Sequence, residues 1–206
     1  MDYGNFPPGW NPLLGYPMAA PPPPPKRHVF ISSYHADQGE VDAFIYHWST
    51  VHKVFTPKAL GTFDNEDFIN SDNPQYVMGQ IRAKYLLDST VTIVLIGTCT
   101  HSRRYVDWEI KASLRRGDYT PNGLIGYLLP SALPAAHLPV RFSANWNSNQ
   151  QQSSYARYRF LPSTPAMMRQ QIEAAFLDRT NRAHLINNDA DMMRYNASCQ
   201  VCGVTH

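Results

Sequence analysis

Residues 90–98 read TVTIVLIGT, and this stretch decides the fold. A continuous run of aliphatic and β-branched residues that ends at Gly97 predicts a strand buried on both faces, as at the centre of a parallel sheet. A polar connection, CTHSRR at residues 99–104, then leads into a segment with helical periodicity. The chain therefore contains at least one strand–loop–helix unit of an α/β sheet.

The helix predicted over residues 105–116 carries the first candidate for chemistry. Its apolar stripe, which should face the sheet, consists of Val106, Ile110 and Leu114. Glu109 lies at the edge of this stripe, near the carboxyl end of the preceding strand, where open α/β sheets form their ligand crevices. Beside Trp108, this carboxylate is a catalytic candidate, but a first-turn acid also interacts favourably with the helix dipole. Spacing alone leaves both interpretations open.

Similar units precede this stretch. HVFISSYH at residues 28–35 predicts a short first strand, formed by Val29, Phe30 and Ile31, that runs into small polar residues, and a helix starts at Asp37 or Gln38. The face of that helix should hold Val41, Phe44, Ile45, Trp48, Val51 and Phe55. After a break at Pro57, ALGTFD predicts a second strand that ends at Asp64. A second helix should begin at Pro74, run to about residue 88, and bury Tyr76, Val77, Ile81, Tyr85 and Leu86.

The alternation continues to residues 123–130, GLIGYLLP, which predict a fourth strand. This rhythm predicts an α/β fold with a parallel, doubly wound sheet and helices on both faces. Between residues 131 and 163 the pattern is lost, apart from a short strand predicted at 157–160. We expect a long loop there, followed by a final helix over 164–180 that Thr164 caps. The domain would then span residues 26–180.

The two ends of the chain differ from this domain in composition. Residues 1–25 form a leader that ends in five prolines, which are stiff and extended, so we expect an arm or tether. Residues 181–206 form a polar C-terminal tail. The N-terminus has no secretory signal pattern, and no apolar run reaches the ~20 residues of a membrane span. A net charge of +2 predicts no strong attraction to nucleic acid or membrane.

Three cysteines are a sparse, odd set that fits a reducing cytoplasm, where we expect this protein. Cys199 and Cys202 form a C-x-x-C pair that could be half of a zinc site. Because a second ligand pair at the usual spacing is missing and only His206 follows, the sequence argues against a metal. Glycine-rich nucleotide loops are also absent.

Three polar constellations remain as candidates for ligand contact. Ser32, Ser33, Tyr34 and His35 follow the first strand and share the rim of Glu109 if the first and third strands are neighbours. His101, Arg103 and Arg104 could receive phosphate at the start of the third helix. The acidic residues at 64–67 offer hard oxygen ligands but lack calcium-loop spacing. Ordinary loop and capping roles are the alternative in each case.

Several of these segments together resemble TIR domains, in particular the TIR-like family typified by the Thoeris antiphage protein ThsB. The matching segments are VFISSY at 29–34, the end of the apolar strand, IVLIG, at 93–97, Ser102, and Trp108-Glu109-Ile110. The resemblance covers residues 26–130, about half the chain. Ser33, Tyr34 and His35 stand where many eukaryotic TIR domains carry basic residues, as is typical of the ThsB-like branch.

The resemblance implies a flavodoxin-like fold and NAD⁺ as substrate, with no further cofactor and no metal. Glu109 takes the position of the catalytic glutamate. The substrate-binding residues would be Phe30, Ser32, Ser33, Tyr34, His35, Asp64, Ser102 and Trp108. The loop from Asp64 to Asn73 resembles the segment through which TIR domains self-associate.

Three functions follow as alternatives. The first is antiviral defence, in which the enzyme cleaves NAD⁺ at the nicotinamide–ribose bond and makes a cyclic ADP-ribose-type signal for a separate effector. The second is an NAD⁺ hydrolase that releases ADP-ribose, and the third is a non-catalytic self-association module. A carboxylate near the ribose suits the first two, because it stabilises an oxocarbenium-like ribose as the bond breaks.

Overall fold

The computed structural model describes residues 25–59, 73–115, 117, 119–132, 136–147, 149–150 and 153–205. Within these residues, five strands form one fully parallel sheet in the order β2-β1-β3-β4-β5. They are β1 (His28–Ser32), β2 (Thr56–Ala59), β3 (Val91–Ile96), β4 (Gly123–Leu128) and β5 (Arg157–Arg159). Because this is the flavodoxin-like strand order, the predicted fold class is confirmed.

Five α-helices accompany the sheet in the described part of the chain. They are α1 (Gln38–Ile45), α2 (Pro74–Ile81), α3 (Arg104–Ser113), α4 (Val140–Ser143) and α5 (Pro165–Asn181). Two of them continue into π-helical turns, α1 through Tyr46–Val51 and α2 through Arg82–Leu86. Short 3₁₀ turns at His35–Asp37 and Thr100–Ser102 connect β1 to α1 and β3 to α3.

The helices cover both faces of the sheet, as the predicted stripes require. α1 and α5 pack on one face, against the side chains of Ile31, Ile93 and Ile125. On the other face, the stripe of α3 packs against Val94 and Ile96, and α2 packs around Phe30. β3 is buried at every position, which confirms the central strand predicted from its sequence.

The first helix and the second strand differ from the prediction. The π-helical turn after α1 adds residues per turn and rotates the following positions, so Val51 is exposed, not buried. Phe55 lies beyond the helix, past Lys53 with its positive φ of 50°, although it still joins the core. Pro57 lies inside β2 and does not precede it, which an edge strand tolerates because one side of the strand needs no ladder hydrogen bond.

Two further predictions need correction or fall outside the described residues. On α2, Tyr76 is exposed, whereas Val77, Ile81 and Tyr85 are buried as expected. The rest of the predicted second strand, up to Asp64, lies outside the described residues, as do residues 1–24 of the predicted leader.

The segment expected to be a long loop contains α4 and β5, and both pack into the domain. Arg141 of α4 is fully buried and pairs with Asp107 of α3, with Nε 2.9 Å from Oδ1. β5 extends the sheet beside β4. Thr164 caps α5 as predicted, accepting a hydrogen bond from the N–H of Met167.

The C-terminal tail runs along the outer side of α3. The backbone oxygen of Met193 accepts a hydrogen bond of 2.8 Å from the indole of Trp108. The guanidinium of Arg141 donates to the carbonyls of Asn188, Ala190 and Asp191. Since these bonds satisfy buried donors of α3 and α4, the tail is an integral part of the packed domain.

Candidate functional site

The carboxyl ends of β1 and β3 are neighbours, as the sequence argument assumed. In the parallel ladder, Ser32 stands beside Val94. In the strand order described above, chain connections leave in opposite directions on the two sides of this pair, so a crevice is expected at their carboxyl ends. The segments that follow the two strands, Ser33–Asp37 and Gly97–Arg103, meet at this point.

Glu109 and Ser32 form the centre of the site. The hydroxyl of Ser32 donates a hydrogen bond of 2.5 Å to Oε2 of Glu109, and both side chains are buried. α3 places the carboxylate there because Val106 and Ile110 anchor the helix on the sheet with Glu109 beside them. The predicted juxtaposition of Glu109 with the end of β1 is therefore present.

Burial determines the protonation of this carboxylate. It raises the pKa of Glu109 to about 8, and the hydrogen bond from Ser32 opposes that rise. At neutral pH, the carboxyl group is therefore mostly protonated. A cationic ligand placed beside it would favour the ionised form, because an opposite charge lowers the pKa of an acid. Such strongly perturbed groups are concentrated at functional sites.

The remaining predicted residues after β1 have different exposures. Ser33 is half-buried, and His35 is exposed with its ring 4.5 Å from that of Tyr34. Tyr34 is buried, and the guanidinium carbon of Arg103 lies 4.0 Å from its ring centroid. His35 is thus the most accessible member of this group, and Tyr34 links the loop to the segment after β3.

Phe30 and Trp108 are enclosed by protein in this structure. Both have no exposed surface, and they pack together with Tyr85 of the turn after α2. Tyr105 stacks edge-on against Trp108, with ring centroids 5.1 Å apart. Stacking of either ring on a ligand stays a prediction, and it requires a covering segment to move.

Ser102 and Asp64 complete the predicted set. Ser102 is fully buried, and its hydroxyl donates to the backbone oxygen of Cys99 at 2.8 Å, so it stabilises the turn before α3. Asp64 lies outside the described residues, as do the acidic residues at 64–67 and all but the last residue of the loop from Asp64 to Asn73.

The start of α3, where phosphate binding was considered, already has a protein acceptor. The side chain of Asn196 accepts a hydrogen bond of 3.0 Å from the backbone N–H of Arg104. His101 is buried, and its Nε2 accepts a hydrogen bond from the backbone N–H of Gln200. A phosphate at this helix start would have to displace the chain's own C-terminal segment.

Sequence reasoning missed the position of Asp37, which it treated only as a helix start. The hydroxyl of Thr100 donates a hydrogen bond of 3.4 Å to Oδ2 of Asp37 and accepts one of 2.8 Å from the backbone N–H of Gly97. A Cβ at position 97 would collide with the Asp37 carboxylate. Burial, and secondarily the charge of Glu40, raise the pKa of Asp37. Only the glycine that ends the strand hinted at this close approach.

A second oversight concerns the cysteines. The sequence argument treated Cys199 and Cys202 as an isolated pair, and this premise is wrong, because Cys99 lies beside both of them. The three sulfur atoms lie within 4.8 Å of one another. The odd cysteine count was the one available signal, and a separation of 100 residues concealed the partner.

Comparison with models of protein families identifies a family for this chain. Residues 30–132, half of the chain, match the family model described as Thoeris protein ThsB, TIR-like domain. The matched region extends from β1 to the turn that follows β4, so it includes Ser32 and Glu109. No significant match to a curated protein was found. None of the described helices combines the length and apolar character needed to cross a bilayer.

Proposed function

This chain belongs to the Thoeris ThsB TIR-like family, and from that premise we propose that it cleaves NAD⁺ at the nicotinamide–ribose bond. In this proposal the ADP-ribosyl product closes on itself to give a cyclic ADP-ribose-type molecule that activates a separate effector in antiphage defence. The observation that carries the proposal is the buried Glu109 carboxyl, bonded to Ser32 at the carboxyl ends of β1 and β3.

Cleavage of the nicotinamide–ribose bond does not require a general acid. Nicotinamide leaves NAD⁺ as a neutral ring, so breaking the bond needs no proton donor, but it leaves positive charge on the ribose. An ionised Glu109 would stabilise that charge in a water-poor site, where electrostatic effects are strong. Ser32 would hold the carboxylate by donating its hydroxyl hydrogen to Oε2, the atom to which it donates in the structure.

The fate of the ribosyl group decides the product. If an atom of the substrate's own adenine or ribose attacks the anomeric carbon, a cyclic product forms and one proton is released. If water attacks, linear ADP-ribose forms. Exclusion of water favours cyclisation, and the burial of Glu109 and Tyr34 supports such exclusion here.

The remaining substrate contacts are part of the same proposal. Ser33, Tyr34 and His35 would contact the nucleotide from the loop after β1, with Phe30, Ser102 and Trp108 shaping the site around Glu109. Asp64 and the loop up to Asn73 would complete the site or contact a second copy of the chain. We propose that this reaction takes place in the cytoplasm.

Product analysis tests the proposal directly. The purified protein is incubated with NAD⁺, and the products are separated and identified by mass. We expect nicotinamide together with a cyclic isomer that weighs one water less than ADP-ribose. Linear ADP-ribose alone would instead favour the hydrolase, and absence of turnover at any protein concentration would favour the self-association module.

A pair of matched variants tests the assigned carboxylate. Glu109→Gln keeps the shape and the hydrogen-bonding partner but cannot ionise, so turnover should fall by at least about 100-fold. Glu173→Gln, a surface glutamate on α5 that pairs with Arg27, should keep wild-type turnover. Full activity in the folded Glu109→Gln protein would exclude this residue as the catalytic group.

A further inference from the structure

Cys99, Cys199 and Cys202 form a converging group of thiols outside the site described above. The Sγ of Cys99 lies 2.8 Å from that of Cys199 and 3.4 Å from that of Cys202. Among the described residues, these are the one group of three or more histidine, cysteine or acidic side chains close enough to share a metal ion. Cys99 and Cys199 are buried, whereas Cys202 reaches the surface.

The two C-terminal thiols sit on a tight, well-bonded turn. The N–H of Gly203 donates to the oxygen of Cys199 at 2.8 Å, and the N–H of Cys199 donates to the oxygen of Val204 at 2.9 Å. Gly203 has a φ of 74°, a conformation that side chains disfavour. Backbone pairing of Ser198 with Thr205 closes the turn. The turn thereby holds the Sγ atoms of Cys199 and Cys202 within 4.8 Å of each other.

Cysteine binds metal ions as the thiolate, so each of these thiols would release its proton when the ion binds.

The third thiol, that of Cys99, comes from a distant part of the sequence. Cys99 follows β3, and it packs together with Tyr34 and Cys199. A disulfide would join two of the three sulfurs and leave one unused, whereas a metal ion uses all three. Around Zn²⁺, tetrahedrally arranged thiolates bind at about 2.3 Å, which places their sulfurs roughly 3.8 Å apart, so the observed cluster needs only a small expansion. Soft thiolate ligands select zinc over magnesium or calcium.

We propose that Cys99, Cys199 and Cys202 bind one Zn²⁺ ion, which fastens the C-terminal segment to the loop after β3. Three protein thiolates leave one tetrahedral position for water or another ligand. The bound ion would also fix Tyr34, and with it the loop after β1, beside the nucleotide site.

Metal analysis of the full-length protein tests the proposal. Protein purified under reducing conditions without chelator should contain one zinc ion per chain. Loss of an outer-shell partner alone costs about 10–100-fold in metal affinity, so Cys202→Ser, which removes a ligand, should retain less than a tenth of the zinc. Ser198→Ala, in the same turn but without a ligand, should keep full occupancy.

Two further measurements keep the test decisive if a variant folds poorly. Wild-type protein reconstituted with Co²⁺ should show the intense thiolate charge-transfer absorption and the red d–d bands of a tetrahedral site. A zinc chelator should lower the melting temperature of the wild type and leave that of Cys202→Ser unchanged. Metal-free protein with three alkylatable thiols, a disulfide-linked peptide pair, or unchanged zinc in Cys202→Ser would each overturn the proposal.

Discussion

The buried carboxyl of Glu109, to which we assign the proposed chemistry, also lowers the stability of the fold as the pH rises. The folded protein keeps its proton up to a pKa of about 8, whereas the unfolded chain releases it near 4.5. The folded state thus binds the extra proton between these values, and its stability falls as the pH rises through that window. The stabilising effect of protonation is fully present below pH 4.5 and lost above pH 8.

Glu109→Gln should therefore change the pH dependence of folding. A glutamine cannot ionise, so the variant lacks the loss of up to about 1.4 kcal/mol per pH unit that the glutamate imposes in this window. We expect the free energy of unfolding of the variant, relative to wild type, to be higher at pH 8.5 than at pH 5. Urea titrations at the two pH values measure this.

Glu173→Gln is again the control variant, because the carboxylate of Glu173 is partly exposed and pairs with Arg27. Its difference from wild type should show no rise between pH 5 and pH 8.5. Parallel pH profiles for wild type and Glu109→Gln would show that Glu109 ionises normally in the folded protein.

At the scale of elements, the pairing of α3 with α4 depends on the buried ion pair between Asp107 and Arg141. Asp107 also accepts a hydrogen bond of 3.0 Å from the backbone N–H of Met193. Removing one partner of such a pair leaves an uncompensated buried charge, which costs far more than the pair itself contributes.

Asp107→Ala should accordingly destabilise the protein by about 3–5 kcal/mol. The double variant Asp107→Ala, Arg141→Met removes the stranded charge and should recover part of that loss. Chemical denaturation of the two single variants and the double variant forms a cycle that measures the coupling. The partly exposed pair Arg27–Glu173 gives the contrast, because solvent screens its charges and breaking it should cost less than breaking the buried pair. Equal costs at both pairs would contradict the role assigned to Asp107.

Elements with a strong apolar period were predictable from the sequence, and polar long-range contacts were not. The run of β3 and the stripe of α3 placed Glu109 at the carboxyl end of the sheet. Its proximity to β1 depended on the assumption that the first and third strands are neighbours, which the structure confirms. The burial of Arg141 could not be predicted, because an arginine is buried only where acceptors such as Asp107 surround it, and the sequence does not show those contacts. Val51 was placed wrongly because a π-helical turn changes the period without a mark in the sequence.

At the scale of the whole molecule, the C-terminal tail packs along the whole length of α3 through residues 188–196. Asn196 meets the first turn, Met193 the middle and Asn188 the region of Lys111. This order is antiparallel to the helix. The segment satisfies donors of both α3 and α4, so its stabilising contribution is distributed over many bonds.

Deleting residues 187–206 should therefore do more damage than any single substitution in the segment. The deletion uncovers Trp108, whose indole N–H bonds to the carbonyl of Met193, and leaves the guanidinium of Arg141 short of acceptors. We expect a red-shifted tryptophan emission and a lower melting temperature. Deletion of residues 1–24, which the sequence predicts to lie outside the core, should leave the melting temperature unchanged. A full-stability truncation at the C-terminus would contradict this account of the segment.

The position of this segment after all five strands in the sequence has a consequence for how the protein is made. A ribosome delivers the chain from its N-terminus, so all five strands emerge before the residues that bond to Trp108 and Arg141. Until residues 188–196 have emerged from the ribosome, the helix bearing Glu109 lacks the segment that packs along it. Incomplete translation products would thus contain every residue assigned to the chemistry and still lack the support that holds its helix in place.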